Sequence, residues 1–412
     1  MSNSMAVVHR RPGERGQTIL LVAVSLVSLL AMAALSIDVV TLYTAHGEMQ
    51  RAADAAALAG AKAFVDSGIT SEPGNATRQA LARTMASAIV DRIVLQNKVQ
   101  GAAPVLVGTP AFDFTTHPAS PQITVTVQRT DLPTFFARIW GSRLATVTAS
   151  AMAEAYNPSN APAGYPPIAP KCVKPLLIAN QDPATSSQFV DPTTGAPVAA
   201  NVIGEGAALK PCPSGTCPPI VGALQFRPAQ VNPGTSNLCP SGCSPPSSDY
   251  ESSIDCCDSA TPPATQYTCG SAVPNTPVNA TLMDPQLSLQ TNQGLHCITN
   301  HPAEDTLDAT SLPGFTTGTE ALRILAGSGP QSGNVVTTSR SIATFPIVEN
   351  PDVSPVRVIG FLQVFVDPVT PGVPTSTPAH ILNVIGCGNS PGAGPPVLGG
   401  GYSPIPVRLI HQ

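Results

Sequence analysis

The chain of 412 residues has a formal net charge of −5, and only 11% of its residues are charged. It has no basic cluster large enough to indicate nucleic-acid binding, and its length allows two or three domains. Proline and glycine, with 45 and 33 residues, are more frequent than in a compact globular protein but rarer than in a wholly disordered one.

The first predicted element is an uncharged apolar stretch, Thr18–Ile37. A helix of this length spans about 30 Å, which is the thickness of the hydrocarbon core of a bilayer. Three arginines precede it, whereas Asp38 follows it directly. Because Lys and Arg favour the cytoplasmic side of a membrane, the pattern predicts a single transmembrane helix, with residues 1–17 as a cytoplasmic leader and the rest of the chain outside.

Two cleavage events remain as alternatives to a retained anchor. Ala31-Met32-Ala33 fits the small-residue cleavage pattern of a secretory signal. However, the apolar run exceeds the usual signal core of about 7 to 15 residues, which favours retention. A prepilin-like leader would be cut after Gly16, but Leu21 stands where type IV prepilins generally carry Glu.

The helical pattern continues beyond the membrane stretch. After Pro12 the next proline is Pro73, so one helix is predicted from Thr18 to about Val65. Its outer half, Ala52–Ala63, consists mostly of alanine, and small side chains let another backbone approach closely. An apolar stripe of this width must be covered by a sheet or by a partner chain.

Further short elements complete a predicted α+β unit, residues 38–156. They are inferred from helical spacing of apolar residues, from period-two alternation, and from a helix start at an Asp followed by Pro. These elements are a second helix over Thr77–Lys98, strands over Ile123–Val127 and Ala145–Tyr156, and a short helix from Asp131 to Gly141 that carries the densest aromatic group.

The remainder of the chain is predicted in three segments. Residues 157–340 are rich in Pro, Gly, Ser and Cys, so they bury little surface and should be partly disordered and stabilised by disulfides. Residues 341–387 form a β-rich segment, in which Val356–Val366 is apolar on both faces and therefore buried on two sides. Residues 388–412 form a Gly/Pro-rich tail. The predicted fold class is α+β.

All ten cysteines lie in the part of the chain that is predicted to be exported. An even number in this place indicates disulfides formed in an oxidising compartment. Zinc is the alternative for the spacings Cys212-x4-Cys217 and Cys239-x3-Cys243, whereas the adjacent Cys256-Cys257 fits a zinc pattern poorly. The connectivity of the disulfides stays open. The candidates are Cys172, Cys212, Cys217, Cys239, Cys243, Cys256, Cys257, Cys269, Cys297 and Cys387.

Two groups of residues are candidates for a catalytic or metal site. His296-Cys297 precedes His301 and several carboxylates, but a loop interpretation of this segment favours ordinary polar residues. Ser390 lies in a Gly-x-Ser-x-Gly pattern, but Pro391 prevents the helix that a nucleophile elbow requires. The sequence therefore predicts no enzyme activity, no metal, no cofactor and no small-molecule substrate.

The N-terminal region resembles that of TadG-like proteins, from the TadE/TadG group of Flp (tight-adherence) pilus assembly. The resemblance is carried by Gly16-Gln17, the apolar stretch, Asp38-Val39, Leu42-Tyr43 and the run QRAADAAALAGA that begins at Gln50. It implies a bitopic inner-membrane protein, with its C-terminal region periplasmic or extracellular, that contacts the lipid bilayer and other pilus-assembly or pseudopilin-like subunits. The Asp-x-Ser-x-Ser metal motif of some family members is absent from this sequence.

We expect helix packing or assembly contacts from one set of residues in this region. Asp38 could pair with a partner helix or mark the membrane edge, and Asp54 could set helix register or lie on a solvated face. The full set is Asp38, Gln50, Ala53, Asp54, Ala56, Ala57 and Gly60. An exported adhesin that uses the Cys-rich region is the alternative function, and a secreted hydrolase that uses Ser390 is a third.

Overall fold

The computed structural model describes most of the chain after residue 13. The described residues are 14–118, 120–141, 144–157, 166–212, 216–229, 237–239, 243, 246–258, 267–273, 285–300, 304–308, 323–336, 338–353, 355–370, 377–388, 397–398 and 403–410. The candidate residues Ser390 and His301 lie outside them.

Four α-helices and nineteen strands occur in the described part of the chain. The helices are α1 (Glu14–Ser67), α2 (Ala76–Gln96), α3 (Asp249–Asp255) and α4 (Pro285–Asn300). The strands are β1 (Val105–Leu106), β2 (Ala111–Asp113), β3 (Gln122–Pro133), β4 (Leu144–Ala155), β5 (Ile168–Ala169), β6 (Leu176–Ala179), β7 (Gly206–Pro211), β8 (Ala223–Pro228), β9 (Asn237–Leu238), β10 (Cys257–Asp258), β11 (Ala272–Val273), β12 (Thr306–Leu307), β13 (Ile324–Leu325), β14 (Val335–Val336), β15 (Ile342–Val348), β16 (Val356–Val366), β17 (Thr377–Gly386), β18 (Val397–Leu398) and β19 (Val407–Ile410).

The fold-class prediction is confirmed: a long apolar N-terminal helix precedes mixed helix and sheet, and the C-terminal part is rich in strands. The chain separates into two compact units. The first contains the described residues up to Ala53, together with Ile93–Gly108 and Thr126–Ser150. The second contains Asp54–Arg92, Thr109–Val125 and the described residues from Ala151 onward.

A five-stranded sheet follows the two long helices in the order β1-β3-β4-β19, with β2 also paired to β3. In β3 the side chains of Ile123, Val125 and Val127 are buried, and the threonines between them are only partly buried, as period-two alternation predicts. The β-strand prediction for both β3 and β4 is therefore correct.

The predicted helix start at Asp131 is wrong. Strand β3 continues through Pro133, and Asp131 forms an ion pair with Arg129, at 2.6 Å from Oδ1 to Nε. Only residues Ala137–Trp140 form a short 3₁₀ turn, which ends at Gly141 with a positive φ of 99°. Lacking a Cβ, glycine adopts this left-handed conformation without steric cost.

The largest sheet of the second unit closes on itself. Its order is β11-β16-β15-β6-β8-β7-β17, and β17 also pairs with β16, so six strands form a closed barrel to which β11 adds at one side. Closure leaves no free edge among these six strands. Their inward side chains, including Leu176, Phe226, Phe345 and Leu362, form one buried core.

Strands β6, β7 and β8 belong to a region in which the sequence analysis expected little burial. Leu176, Leu177 and Ile178 are nonetheless fully buried. They are buried because β6 pairs in parallel with β15, which lies more than 160 positions later in the chain. Strands that are distant in sequence can thus bury a short apolar segment.

Five disulfides connect all ten cysteines. The pairs are Cys172–Cys257, Cys212–Cys217, Cys239–Cys256, Cys243–Cys297 and Cys269–Cys387. The disulfide prediction is confirmed, and the pairing answers the question of connectivity that the spacing had left open. The adjacent residues Cys256 and Cys257 join two different segments.

Candidate membrane anchor and assembly region

The apolar half of α1 has almost no protein cover. The side chains of Ile19, Leu21 and Leu30 are 71%, 67% and 61% exposed. Among the described residues this is the one helix long and apolar enough to cross a membrane. Large apolar side chains need cover in water, so a helix with this surface fits a single-pass membrane protein.

Asp38, which directly follows this apolar stretch, binds the backbone of a distant turn. Its Oδ1 accepts a hydrogen bond from the N–H of Phe135 at 2.8 Å. Its Oδ2 accepts from the N–H groups of Phe136 at 2.9 Å and Ala137 at 2.6 Å. Asp38 as a whole is only 3% exposed. Asp38 therefore provides the N-terminal cap of the 3₁₀ turn, the role that the sequence analysis had given to Asp131.

Further polar contacts fix the next turns of α1 within the first unit. The side chain of Gln100 donates to the carbonyl of Thr41 at 3.0 Å, and its backbone N–H donates to Glu48 Oε2 at 2.7 Å. The side chain of Gln50 donates to the carbonyl of Ser150 in β4 at 3.2 Å. Immediately beyond the predicted membrane boundary, α1 is thus hydrogen-bonded to Gln100 and to strand β4.

The alanine-rich face of α1 is buried within this chain. Ala53, Ala56 and Ala57 are fully buried, and Asp54 is partly buried. A Cβ added at Gly60 would lie 2.6 Å from Ile123 Cδ1 and 3.1 Å from Val90 Cγ2. The second helix and strand β3 therefore approach α1 at Gly60 as closely as the absence of a side chain allows.

A different line of residues on α1 stays partly accessible. Ala55, Leu58, Ala59 and Lys62 are each partly buried and follow one another at helical spacing. Lys62 forms an ion pair with Asp66 one turn later. A partner helix could reach this line without displacing the contacts at Gly60.

Several groups that the sequence analysis weighed as sites have structural roles. Cys297 is bonded to Cys243, so it is not a free nucleophile. His296 lies in α4 and not in a loop, which corrects the loop interpretation. Asp305 accepts hydrogen bonds from the Gly327 N–H and the Ser339 hydroxyl. No group of three metal-ligating side chains occurs among the described residues.

The turn at residues 134–141 was not predicted as a partner of Asp38. The acid beside the apolar stretch and the Phe-Phe pair were both visible, but the two are separated by 97 positions. No local pattern connects residues at that distance, so the contact could not be predicted from spacing.

Comparison with known families gives one match. Residues 16–63 match the Tad family model, which describes TadE/G-like Flp pilus-assembly proteins. The matched segment begins before the apolar stretch and ends in the buried alanine-rich helix. The suspected resemblance of the N-terminal region is thereby confirmed for these residues. The searches of curated proteins and of solved structures gave no match.

Proposed function

We propose that the chain is a bitopic bacterial envelope protein that takes part in assembling or anchoring a Flp-type pilus or a related secretion apparatus. Thr18–Ile37 crosses the inner membrane, the N-terminus is cytoplasmic, and the residues after Asp38 lie in the periplasm or outside the cell. The observation that carries the proposal is the family match over residues 16–63, because it covers both the apolar stretch and the alanine-rich helix.

Two further observations support the orientation. The three arginines before the apolar stretch favour a cytoplasmic N-terminus. The five disulfides all lie after it, and disulfides persist in oxidising compartments and not in the cytosol. The charge pattern and the cysteine pairing are independent of each other and favour the same side.

Fractionation of cells that produce the chain with a tag at each end tests the anchor. We expect the intact mass in the inner membrane, with the C-terminal tag accessible to protease added to spheroplasts and the N-terminal tag protected. A soluble product cut at Ala33 would contradict the anchor and would favour the exported adhesin.

In this proposal the assembly surface of α1 is the partly buried line at Ala55, Leu58 and Ala59. Gly60 is already covered by α2 and β3, and Ala56 is fully buried, so changes there would disturb the fold of the chain itself. Two carboxylates on the accessible line would instead meet a partner helix directly, where an unpaired buried charge is unfavourable.

The double variant Ala55→Glu/Ala59→Glu tests this surface. We expect it to insert into the membrane normally but to lose co-purification with other pilus-assembly subunits. Ala80→Glu, at an exposed alanine of α2 in the same unit, is the matched control and should keep co-purification. Equal recovery of subunits with both variants would contradict the surface. If the unaltered, membrane-retained chain recovers no pilus subunit, the proposed pilus role itself fails.

A further inference from the structure

The turn at residues 134–141 is tied to the outer end of the apolar helix. Asp38 follows Ile37 directly, and a helix rises only about 1.5 Å per residue. If Thr18–Ile37 fills the hydrocarbon core, the Asp38 carboxylate lies where the hydrocarbon meets the headgroups. Three backbone N–H groups of the turn lie within 2.9 Å of that carboxylate, so the turn lies at the same depth.

Large apolar side chains of the same unit are mostly exposed. Phe135 on the turn is 60% exposed, Leu144 at the start of β4 is 60% exposed, and Tyr43 on α1 is 80% exposed. Arg138 in the turn is exposed as well. All four belong to the first unit. Aromatic side chains are enriched at the headgroup level of membranes, and arginine is attracted to lipid phosphates.

We propose that this turn is a second membrane contact, in which Phe135 and Leu144 enter the headgroup region of the outer leaflet beside the anchor helix. The occupant of the apolar surface is lipid, because the turn is hydrogen-bonded to the outer end of a helix whose exposed apolar side chains themselves need lipid cover. Asp38 fixes the depth of the turn. The three N–H groups satisfy a carboxylate that would otherwise be costly at the membrane boundary. The inference rests on the proposed function, since it requires Thr18–Ile37 to span a membrane.

The sole tryptophan of the chain reports the depth of the turn, because it is Trp140, the last residue of the 3₁₀ turn. The full chain is placed in nanodiscs of phosphatidylcholine brominated either near the headgroup or near the bilayer centre. We expect quenching of tryptophan fluorescence that is stronger with bromine near the headgroup, together with protection from iodide in the aqueous phase.

Two variants with matched controls test separately the lipid contact of the exposed side chains and the attachment of the turn to Asp38. Phe135→Asp/Leu144→Asp changes only exposed side chains and should abolish quenching by brominated lipid, whereas Val221→Asp, at a 76% exposed valine of the second unit, should not. Asp38→Asn keeps a single acceptor oxygen and should weaken the quenching by releasing the turn, whereas Asp54→Asn on the same helix should not.

The possible failures can be distinguished from one another. A chain that stays in the disc but shows no lipid quenching overturns the second contact and leaves the anchor intact. Protection from iodide without lipid quenching also overturns it, because protein then covers the turn. A chain that does not enter discs overturns the anchor and the inference together.

Discussion

Removal of the Cys269–Cys387 disulfide should destabilise the barrel far more than removal of Cys212–Cys217. The first bond joins residues 118 positions apart, and the second joins residues 5 positions apart. The chain-entropy relation gives about 4.9 kcal/mol for the longer loop and about 2.1 kcal/mol for the shorter one. Cys243–Cys297 crosses the longer loop but shortens the path between its ends very little, so nearly the full loop length counts.

The two pairs are well matched for comparison, because all four cysteines are at least nine-tenths buried. Replacement of each pair by alanine therefore removes similar packing, and the remaining difference of about 3 kcal/mol reflects loop length. Amide hydrogen exchange of peptides from β16 and β17, followed by mass spectrometry, measures the unfolding free energy of the barrel directly. Equal losses in the two variants would refute the loop-length argument.

Three further predictions concern the buried contacts of the second unit. Gly60→Ala should be destabilising, and Ile123→Val should partly rescue the loss by removing the Cδ1 atom that lies 2.6 Å from the new Cβ. A double-mutant cycle by chemical denaturation should give a coupling free energy of about 1 kcal/mol between the two positions. Strict additivity of the two substitutions would refute the contact. Arg78→Ala should cost about 3–5 kcal/mol, because Arg78 and Glu72 form a buried ion pair at 2.9 Å and the substitution leaves the buried Glu72 carboxylate without its cation, with the side-chain hydrogen bond from Asn75 at 3.0 Å remaining. Arg78→Met/Glu72→Met should recover much of this loss, and no recovery would contradict the explanation by an uncompensated charge. Burial, and to a smaller extent repulsion from Glu251, raises the pKa of Asp255 to about 7, although Lys174 opposes the shift. Between about pH 4 and pH 7 the native state therefore keeps a proton that the unfolded chain has lost. The unfolding free energy should fall as the pH rises through this window. Burial also raises the pKa of Glu205 to about 7, so Asp255→Asn should reduce the slope without abolishing it, whereas Asp249→Asn at an exposed position of the same helix should leave it unchanged.

The long helices were predictable because their signals are local. The absence of proline and the spacing of apolar residues placed α1 and α2 within a few residues of their observed ends. The alternation of apolar residues with threonine likewise placed β3 and β4. Such patterns depend only on residues a few positions apart, so the sequence contains all the information that they need.

The prediction of a short helix at Asp131 failed because an ion pair within strand β3 competes with the helix-start signal. An Asp followed by Pro is a good helix start, but the nearby guanidinium of Arg129 binds both carboxylate oxygens of Asp131, at 2.6 and 2.7 Å. The strand then continues, and the cap of the next turn comes from Asp38. Which acid caps a turn depends on the fold and not on the nearest sequence neighbour.

The barrel strands β6, β7 and β8 were missed for a related reason. Leu176–Ala179 is too short to show a period, and prolines flank it at positions 175 and 183. Its burial comes from parallel pairing with β15 and antiparallel pairing with β8. A prediction from composition underestimated the order of this region, because disulfides and long-range strand pairing stabilise it where local hydrophobicity does not.

Along α1 the side chains are large where the helix is exposed and small where other parts of the protein cover it. From Thr18 to Ile37 large side chains such as Leu30 are exposed, whereas Ala53 and Ala56 are fully buried. Lipid adapts to large side chains, but α2 and β3 leave no room for them at Gly60. Ala33→Leu, at an exposed position, should therefore leave membrane insertion and stability unchanged, whereas Ala56→Leu should cost about 1–3 kcal/mol by overpacking. Hydrogen exchange of α2 peptides distinguishes the two, and equal exchange rates in both variants would show that the alanines are not required by close packing.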